Sequence, residues 1–302
     1  MNSRQNNQKS VISASRRTDI PAFYMDWFMK RLSIGTFETP NPYNRKISVT
    51  SVSPESVHSI VFWSKNFGPF IKDHYGEILR DQGYNLFFNF TINSRDSLLE
   101  PNLPPLNDRI RQLEYLATTF GPDAINWRFD PICTYRINGE LKNNLNDFQS
   151  ITERIAKTNV KRCISSFADI YKKIQRRIST NINLQLIELT INDKIDAVLR
   201  MEEILTASDI NLMLCCESVI LDLLPFDSKT TTSSCINNQL LKTLYGGNIS
   251  LAKATGQRTK NGCDCKKSID IGSYELQPCA HNCLYCYANP VEAPVLRNNN
   301  EK

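Results

Sequence analysis

The 302-residue sequence contains no long apolar segment. No stretch approaches the roughly 20 apolar residues that a membrane-spanning helix needs. The first ten residues, MNSRQNNQKS, lack the apolar core of a secretory signal peptide. No internal repeat with a fixed period is present, which argues against a solenoid or a propeller. These absences predict a cytoplasmic protein without a membrane partner.

The sequence also has little excess charge. Its 36 Lys and Arg residues and 31 Asp and Glu residues give a formal net charge of +5, whereas dedicated nucleic-acid-binding proteins are usually more basic. One basic group, Lys172, Lys173, Arg176 and Arg177, has the spacing of one helix face and is interpreted as a solvated surface. The polar ends, residues 1–10 and 291–302, are predicted to be disordered tails.

Apolar residues make up 41% of the chain, which is enough for a large core. Short β-rich runs alternate with longer helical patterns, as is typical of parallel strands joined by crossover helices. The predicted strands are 11–15, 47–52, 58–63, 85–91, 124–129, 161–166 and 211–216. The predicted helices are 22–33, 70–81, 108–120, 145–158, 168–178 and 193–208. We therefore predict an α/β fold in which residues 11–220 form a single TIM-barrel-like parallel barrel, complete or partial.

Polar residues capable of chemistry follow most of the predicted strands. The residues predicted to act in catalysis are Arg16, Arg17, Asp19, Lys65, Asn66, Arg128 and Asp130. The residues predicted to contact a cofactor at the same place are Asn89, Ser166 and Glu217. The carboxyl ends of parallel barrel strands meet at one face, so these side chains should converge on one pocket. Alternatively, Arg128 and Asp130 form only a structural ion pair.

The pattern of strands and helices breaks near residue 221. Residues 221–290 are rich in Thr, Ser, Asn and Gly, with one predicted helix at 239–244, and eight of the ten cysteines lie from Cys215 onward. A reducing cytosol disfavours disulfides. A loop-rich segment with little core therefore needs another stabilising cross-link, such as a bound metal. We therefore predict that residues 221–290 form a metal-binding extension over the barrel mouth.

The segment PCAHNCLYCYANP contains three closely spaced cysteines, Cys279, Cys283 and Cys286. Tyr285 stands directly before the last of them. Three thiolates on one tight loop can bind three irons of a cubane cluster and leave the fourth iron open. An open iron is a ligand-binding site.

Structural zinc is the alternative for this segment, because zinc also binds thiolates. A structural zinc ion usually takes four protein ligands. Cys263 or Cys265 could supply the fourth ligand, and His281 could compete for that position.

The cysteine spacing resembles that of radical S-adenosylmethionine enzymes, in which an aromatic residue commonly precedes the third cysteine. From residue 12 to residue 289 the chain is similar to the bacterial domain-of-unknown-function family 1848, which looks like an outlying branch of that group. The segments that carry the resemblance are SASRRTDIPAFY, VFWSKN, NFTIN, WRFDPI, SSFADIYKK, CCES, GQRTKNGCDCKKSIDIGSY and CLYCYANP.

The resemblance implies a barrel-like fold with a [4Fe-4S] cluster on Cys279, Cys283 and Cys286, and S-adenosylmethionine bound beside Tyr285. It implies radical chemistry on an unknown substrate, either a small molecule or a nucleic acid, with a flavodoxin or ferredoxin as the electron donor. This chain departs from most such enzymes in one respect. They carry the cysteines after the first barrel strand, whereas here the cysteines lie near the end of the chain.

The remaining cysteines suggest a possible second site. Its predicted ligands are Cys215, Cys235, Cys263 and Cys265, with Cys216 as an alternative to Cys215. They would bind a second iron–sulfur cluster or zinc. Alternatively, Cys215 and Cys216 are small hydrophobic residues of a buried strand. Cys133 and Cys163 are predicted to be core residues.

A second hypothesis is a zinc- or iron–sulfur-stabilised protein that binds or modifies nucleic acid. It rests on the basic group, on Trp63 and Trp127, and on the cysteine-rich segment. Colourless, zinc-containing protein with salt-sensitive nucleic-acid binding would favour this hypothesis over the enzyme.

Overall fold

The computed structural model describes residues 8–41, 44–179, 183–255 and 262–291. In chain order the strands are β1 (Ser10–Ala14), β2 (Thr36–Pro40), β3 (Ile47–Ser51), β4 (Val57–Ser64), β5 (Asn85–Thr91), β6 (Ile125–Ile132), β7 (Thr134–Ile137), β8 (Glu140–Asn143), β9 (Arg162–Phe167), β10 (Leu184–Ile187), β11 (Asn211–Leu214), β12 (Thr231–Thr232) and β13 (Ile269–Asp270). The helices are α1 (Ile20–Phe23), α2 (Met25–Ile34), α3 (Gly68–Lys72), α4 (Tyr75–Asp81), α5 (Leu106–Phe120), α6 (Phe148–Ala156), α7 (Lys172–Ile178), α8 (Ile191–Ala207), α9 (Ser218–Leu223) and α10 (Asn238–Tyr245).

Eight of these strands form one parallel sheet in the order β12-β11-β9-β6-β5-β4-β1-β13. Parallel neighbours need long crossover connections, and the intervening helices supply most of them. Because every strand runs in the same direction, the carboxyl ends of all eight lie at one edge of the sheet. Six of the seven predicted strands are confirmed as β1, β4, β5, β6, β9 and β11.

The main sheet has two open edges in the described part of the chain. β12 and β13 are these edges, and they share no ladder with each other. The segments beside them are linked by a backbone hydrogen bond of 2.9 Å from the Lys266 N–H to the Ile236 carbonyl. The predicted α/β class and parallel sheet are therefore confirmed, whereas the described strands form no closed barrel.

One predicted barrel strand, 47–52, was wrong as a member of the main sheet. Its residues form β3, which pairs antiparallel with β2 in a separate two-stranded sheet. β3 exposes most of its side chains, so it lacks the burial on both faces that a parallel strand needs. A third sheet, β10-β7-β8, is antiparallel and was not predicted.

The predicted helices are present with shifted boundaries. The predicted helix 22–33 is divided at Tyr24 into α1 and α2, and Asp19 caps α1 by accepting a hydrogen bond from the Ala22 N–H at 3.0 Å. The predicted helix 70–81 is divided into α3 and α4 at His74, whose φ of 54° is left-handed and interrupts the helical path. None of the described helices is long and apolar enough to cross a membrane.

The predicted ends and extension differ from the structure in detail. Ser10 belongs to β1, and Lys9 donates a backbone hydrogen bond of 3.0 Å to Asn248, so the predicted disordered tail 1–10 was wrong at its last residues. The rest of that tail, residues 1–7, and residues 292–302 lie outside the described residues. Residues 221–290 include β12, β13 and α10, so this segment contributes both edge strands of the main sheet.

The core lies on the helix-covered face of the central strands β4, β5 and β6. These strands are buried along nearly their whole length, as expected for parallel strands covered on both faces. The fully buried phenylalanines of this core are Phe28, Phe37, Phe62, Phe67, Phe70, Phe88, Phe90 and Phe129. Each stabilises the fold by about 1.5–3 kcal/mol relative to an exposed side chain.

Candidate functional site

The predicted cysteine motif forms a loop, residues 279–286, that we call the three-cysteine loop. It lies at the carboxyl edge of the main sheet. His281 Nε2 lies 2.9 Å from Asp19 Oδ2, just after β1. The Tyr285 hydroxyl donates to Glu100, which follows β5, and the Leu284 N–H donates to the Leu99 carbonyl at 2.9 Å. The loop is therefore attached to the same edge to which the first strands lead.

Arg177 fixes the backbone of the three-cysteine loop from the side of α7. Its Nη1 donates to the carbonyls of Cys283 at 2.9 Å and Cys286 at 2.7 Å, and its Nη2 donates to the Ala288 carbonyl at 3.0 Å. Lys173 donates to the Tyr287 carbonyl at 2.8 Å. The interpretation of the basic group as a solvated surface was therefore wrong for Arg177, which is half-buried, whereas Lys173 is exposed and also donates to the residue after the loop.

The sulfur atoms of the three-cysteine loop are largely covered. Cys283 is buried, and Cys279 and Cys286 are half-buried. Burial raises the pKa of the Cys279 thiol to about 12, and burial also raises the pKa of Cys283. The backbone N–H groups of Asp19 and His281 partly offset this rise in the pKa of Cys279. The Ala288 N–H donates to Cys286 Sγ at 3.4 Å. Donors of this kind support thiolate ligands of metals.

Asp19 connects the first strand, the β4 terminus and the three-cysteine loop. Besides capping α1 through Ala22, its carboxylate accepts the Ser64 hydroxyl at 2.7 Å and the Lys65 N–H at 2.9 Å. With His281, these donors occupy both carboxylate oxygens. Asp19, predicted as catalytic, is therefore engaged in positioning other groups.

A buried charged cluster, Lys65, Asn93, Glu100, Arg109 and Tyr285, lies beside the loop. Lys65 Nζ is 2.7 Å from Glu100 Oε1, and Asn93 Nδ2 donates to the same oxygen at 2.9 Å. Burial alone would raise the pKa of Glu100, but Lys65 and Arg109 outweigh it and lower that pKa. Glu100 Oε2 and Arg109 Nε and Nη1 are buried without a hydrogen-bond partner among the described residues. Such buried polar atoms usually indicate a bound ligand or water.

Arg16, Arg17 and Arg128 lie at the same edge of the sheet. Arg17 ties chain segments together, because Nη1 donates to the carbonyls of Pro40 and Gly272 at 2.9 Å each. The Arg16 and Arg128 guanidinium carbons lie 5.7 Å and 5.2 Å from the ring centre of Trp63. This distance is that of cation–π contacts.

The Arg128–Asp130 ion pair, considered as a structural alternative, is present with an N···O distance of 2.5 Å. Asp130 also accepts the Ser166 hydroxyl at 2.5 Å. Arg128 has a second partner, since its Nη1 lies 2.7 Å from Cys235 Sγ. The pair therefore joins β6, β9 and the segment after β12.

The other predicted polar residues have structural partners. Asn66 accepts hydrogen bonds from the Gly68 N–H and the Gln112 side chain, both at 2.9 Å, at the start of α3. Asn89 Nδ2 donates to the Cys235 carbonyl at 3.0 Å. Glu217 accepts the Phe167 N–H at 2.9 Å, and burial raises its pKa. These three side chains therefore hold the edge of the sheet together.

A second group of sulfurs, the five-cysteine cluster, consists of Cys215, Cys216, Cys235, Cys263 and Cys265. Cys215 Sγ lies 3.4 Å from Cys235 Sγ and 3.7 Å from Cys216 Sγ. Cys265 and Cys263 pack in the same group as these three cysteines. The four cysteines predicted for a second site are brought together, and Cys216 joins them.

The five-cysteine cluster is also a charged environment. The pKa of Cys235 is well below its usual value because Cys215 and Cys265 hydrogen-bond to it and Arg128 lies beside it. In the described part of the chain, no group of three or more His, Cys, Asp or Glu side chains could hold a metal ion as it stands. Metal binding at either set of cysteines therefore requires the thiols to lose their protons and shift around the ion.

Several residues of the site were missed by sequence reasoning. Arg109 had a signal, because it interrupts the apolar stripe of α5 that contains Leu113 and Leu116, and a cation on a buried face needs a partner. Asn93 ends the segment NFTIN, which carries the family resemblance, but it was given no role, and Glu100 lies in the connection after β5, where no pattern distinguished it.

The two remaining cysteines and Trp127 lie in the core. Cys133 and Cys163 are fully buried among apolar residues, which confirms them as core residues. Trp127 is fully buried and donates to the Ile92 carbonyl at 2.9 Å, so it offers no ring to a nucleic-acid base.

Comparison with known proteins agrees with the chain-wide resemblance. None of the curated proteins matches this chain. One family model matches residues 11–288. This range contains the three-cysteine loop, the five-cysteine cluster and all the described strands, except that Ser10, the first residue of β1, lies just outside it. The chain therefore belongs to the family described as a domain of unknown function, DUF1848.

Proposed function

We propose that this protein is a radical S-adenosylmethionine enzyme acting on an unknown substrate. In this proposal Cys279, Cys283 and Cys286 hold a [4Fe-4S] cluster at the carboxyl edge of the main sheet. The sheet would form a partial barrel, because the order β1-β4-β5-β6-β9-β11 follows the sequence as in a TIM barrel. The three-cysteine loop would cover the mouth of that barrel.

The observation that carries the proposal is that both ring nitrogens of His281 have hydrogen-bond partners within the protein. A zinc site would need a fourth ligand, and His281 is the candidate within the loop. Its Nε2 lies 2.9 Å from Asp19, and its Nδ1 lies 3.4 Å from the Asn102 carbonyl. Both ring nitrogens thus have protein partners. Cys263 and Cys265, which could also have supplied a fourth ligand, belong to the five-cysteine cluster. The loop therefore offers three protein ligands. Three thiolates leave one iron of a cubane open, whereas structural zinc usually takes four protein ligands.

The residues around the loop fit this use. The Ala288 N–H already donates to the sulfur of Cys286, and backbone N–H groups lower the pKa of Cys279 against the effect of burial. As in the enzymes that this chain resembles, a cluster held by these cysteines would supply one electron for cleavage of the S–C5′ bond of S-adenosylmethionine, which releases methionine and a 5′-deoxyadenosyl radical. A flavodoxin or ferredoxin would supply that electron.

The chain's own contribution would be orientation, charge and exclusion of water. Arg109 carries two buried nitrogens without partners among the described residues, which could hold an anionic group such as a carboxylate. Lys65 and Glu100 form a buried ion pair directly behind Tyr285. Burial of these groups keeps solvent from the sulfur of Cys283.

The nucleic-acid hypothesis has less support in the contacts. Lys173 and Arg177 of the basic group bind the three-cysteine loop, and Trp127 is buried. Trp63 is in contact with two arginines, so its ring is already engaged within the protein. A nucleic-acid substrate for the proposed enzyme stays an alternative to a small molecule.

The proposal is tested by anaerobic reconstitution with iron and sulfide, reduction, and assay for 5′-deoxyadenosine formed from S-adenosylmethionine. The natural chain should form the product, and Cys286→Ala should not. Cys163→Ala is the matched control, because this cysteine lies in the core away from the loop, and it should retain the activity. A fully reconstituted natural chain that forms no 5′-deoxyadenosine would contradict the proposal.

A further inference from the structure

The five-cysteine cluster is a site of its own, separate from the three-cysteine loop. Its five side chains pack in one group, in which Cys215 Sγ lies 3.4 Å from Cys235 Sγ and 3.7 Å from Cys216 Sγ. They come from the end of β11, the segment after β12 and the segment before β13. Five cysteines from three distant segments share one place in the fold.

The spacing of these sulfurs is that of ligands around a single ion. Four sulfurs about 2.3 Å from a tetrahedral zinc ion lie about 3.8 Å from one another. The two measured sulfur separations are 3.4 Å and 3.7 Å. Both separations are within a few tenths of an ångström of the value for zinc ligands. We propose that four of the five sulfurs hold one tetrahedral zinc ion.

The charges around the cluster fit a zinc tetrathiolate, whose net charge is −2 because four thiolates surround a divalent ion. Arg128 Nη1 is 2.7 Å from Cys235 Sγ. Arg16 faces Cys235 and Cys265, its Nη2 donates to the Ser268 hydroxyl at 3.1 Å, and its Nε is buried without a partner among the described residues. Two guanidinium groups thus face the sulfurs.

Of the two guanidinium groups, Arg128 has a carboxylate partner, whereas Arg16 has no direct one among the described residues. Asp130 pairs with Arg128 at 2.5 Å, and Asp270 pairs with Arg17 at 3.2 Å while accepting the Arg16 backbone N–H at 3.0 Å. The Arg16 guanidinium therefore lacks a direct carboxylate partner among the described residues. A buried or half-buried cation of this kind is stabilised by an anionic neighbour, and a zinc tetrathiolate would be that neighbour.

The zinc ion would link the segments beside the two edge strands of the main sheet, which share no ladder with each other. β12 and β13 have only two residues each and form the two open edges of the main sheet. Cys235 lies just after β12, and Cys263 and Cys265 lie just before β13. A zinc ion shared between them would join both edges, which is a structural role independent of the proposed enzyme reaction.

One of the five sulfurs is spare, because zinc takes four. Cys215, Cys235 and Cys265 are the three buried cysteines of the cluster, so we assign them as ligands. The fourth ligand is one of the two half-buried residues, Cys216 and Cys263. Single Cys→Ser variants at these two positions therefore serve as a matched pair, in which one should retain zinc and the other should lose it.

The test uses the full-length Cys279→Ala/Cys283→Ala/Cys286→Ala variant, so that failure of the iron–sulfur proposal cannot affect the result. Metal analysis should find one zinc ion per chain, and X-ray absorption should show four sulfur neighbours at about 2.3 Å. Adding Cys235→Ser should remove the zinc. If that variant does not fold, stepwise thiol titration of the parent variant with a mercurial reagent should release one zinc ion as the cluster is modified.

Three results would overturn the inference. The first is a protein free of zinc with a disulfide between Cys215 and Cys235. The second is iron with inorganic sulfide bound at this place. The third is zinc that persists unchanged when Cys235 is replaced.

Discussion

His281 Nε2 and Asp19 Oδ2 lie 2.9 Å apart although 262 positions separate them in the chain. Asp19 follows the first strand of the sheet, and His281 lies between the first two cysteines of the three-cysteine loop. This contact explains how cysteines near the end of the chain reach the edge to which β1 leads. It also places His281 as a positioning residue of the loop.

Replacing His281 should therefore loosen the three-cysteine loop. We expect His281→Ala to lower the free energy of unfolding by about 1–3 kcal/mol, because buried acceptors on Asp19 lose their donor. Urea unfolding measures this change, and iron content after reconstitution should fall with it. Lys30→Ala is the control, since Lys30 is exposed on α2. Equal stability and iron content in the two variants would contradict the role given to His281.

Arg177 gives a second prediction about the same loop. Arg177→Ala removes the donors to three loop carbonyls, which no neighbouring side chain can replace with the same geometry. Amide hydrogen exchange in residues 279–289 should become faster, while exchange in β5 should not change. Arg176→Ala, at the exposed neighbouring position, should leave the loop unaffected. Unchanged exchange in the Arg177 variant would show that other contacts suffice to hold the loop.

Glu100 gives a prediction about the buried charged cluster. Glu100→Gln leaves Lys65 and Arg109 without their anionic partner in a buried place. We expect the free energy of unfolding to fall by about 3–5 kcal/mol, the usual loss when one partner of a buried ion pair is removed. Denaturant unfolding measures it, with the exposed Glu114→Gln as control. A loss no larger than that of the control would refute the ion pair's contribution.

The same carboxylate predicts a pH dependence of stability. The pKa of Glu100 is lowered from 4.5 in the folded protein, so the unfolded chain binds the proton more readily. Its contribution is therefore fully present above the unfolded pKa and is lost as the pH falls through the folded pKa. Between about pH 6 and about pH 3, the natural chain should lose stability more steeply than Glu100→Gln. Parallel pH profiles would be inconsistent with a lowered pKa.

Much of the fold could be predicted because the central strands have distinctive sequences. β5, NLFFNFT, is a short run of buried apolar residues, which is typical of a parallel strand. β12 and β13 could not be found in this way, since two residues carry no periodicity. The hairpin of β7 and β8 did have a signal, the pair Asn138 and Gly139, both with positive φ. That signal was missed because β8 is wholly exposed.

The three-cysteine loop was the part of the candidate site that sequence spacing predicted most directly. The three cysteines of the loop lie within eight residues, so their spacing alone predicted a shared site. Arg177 acts on that loop across more than 100 positions of sequence, with a separation of 106 to Cys283. A helix-face pattern gives no indication of such a partner, since the same basic residues would also suit a solvated surface.

The most direct test of the account is electron paramagnetic resonance of the reduced, reconstituted protein with and without S-adenosylmethionine. If Cys279, Cys283 and Cys286 hold a cubane with one open iron, the reduced protein should give a cluster signal that changes when S-adenosylmethionine is added. A cluster signal that the addition leaves unchanged, or a protein that binds no cluster at these cysteines, would contradict the account.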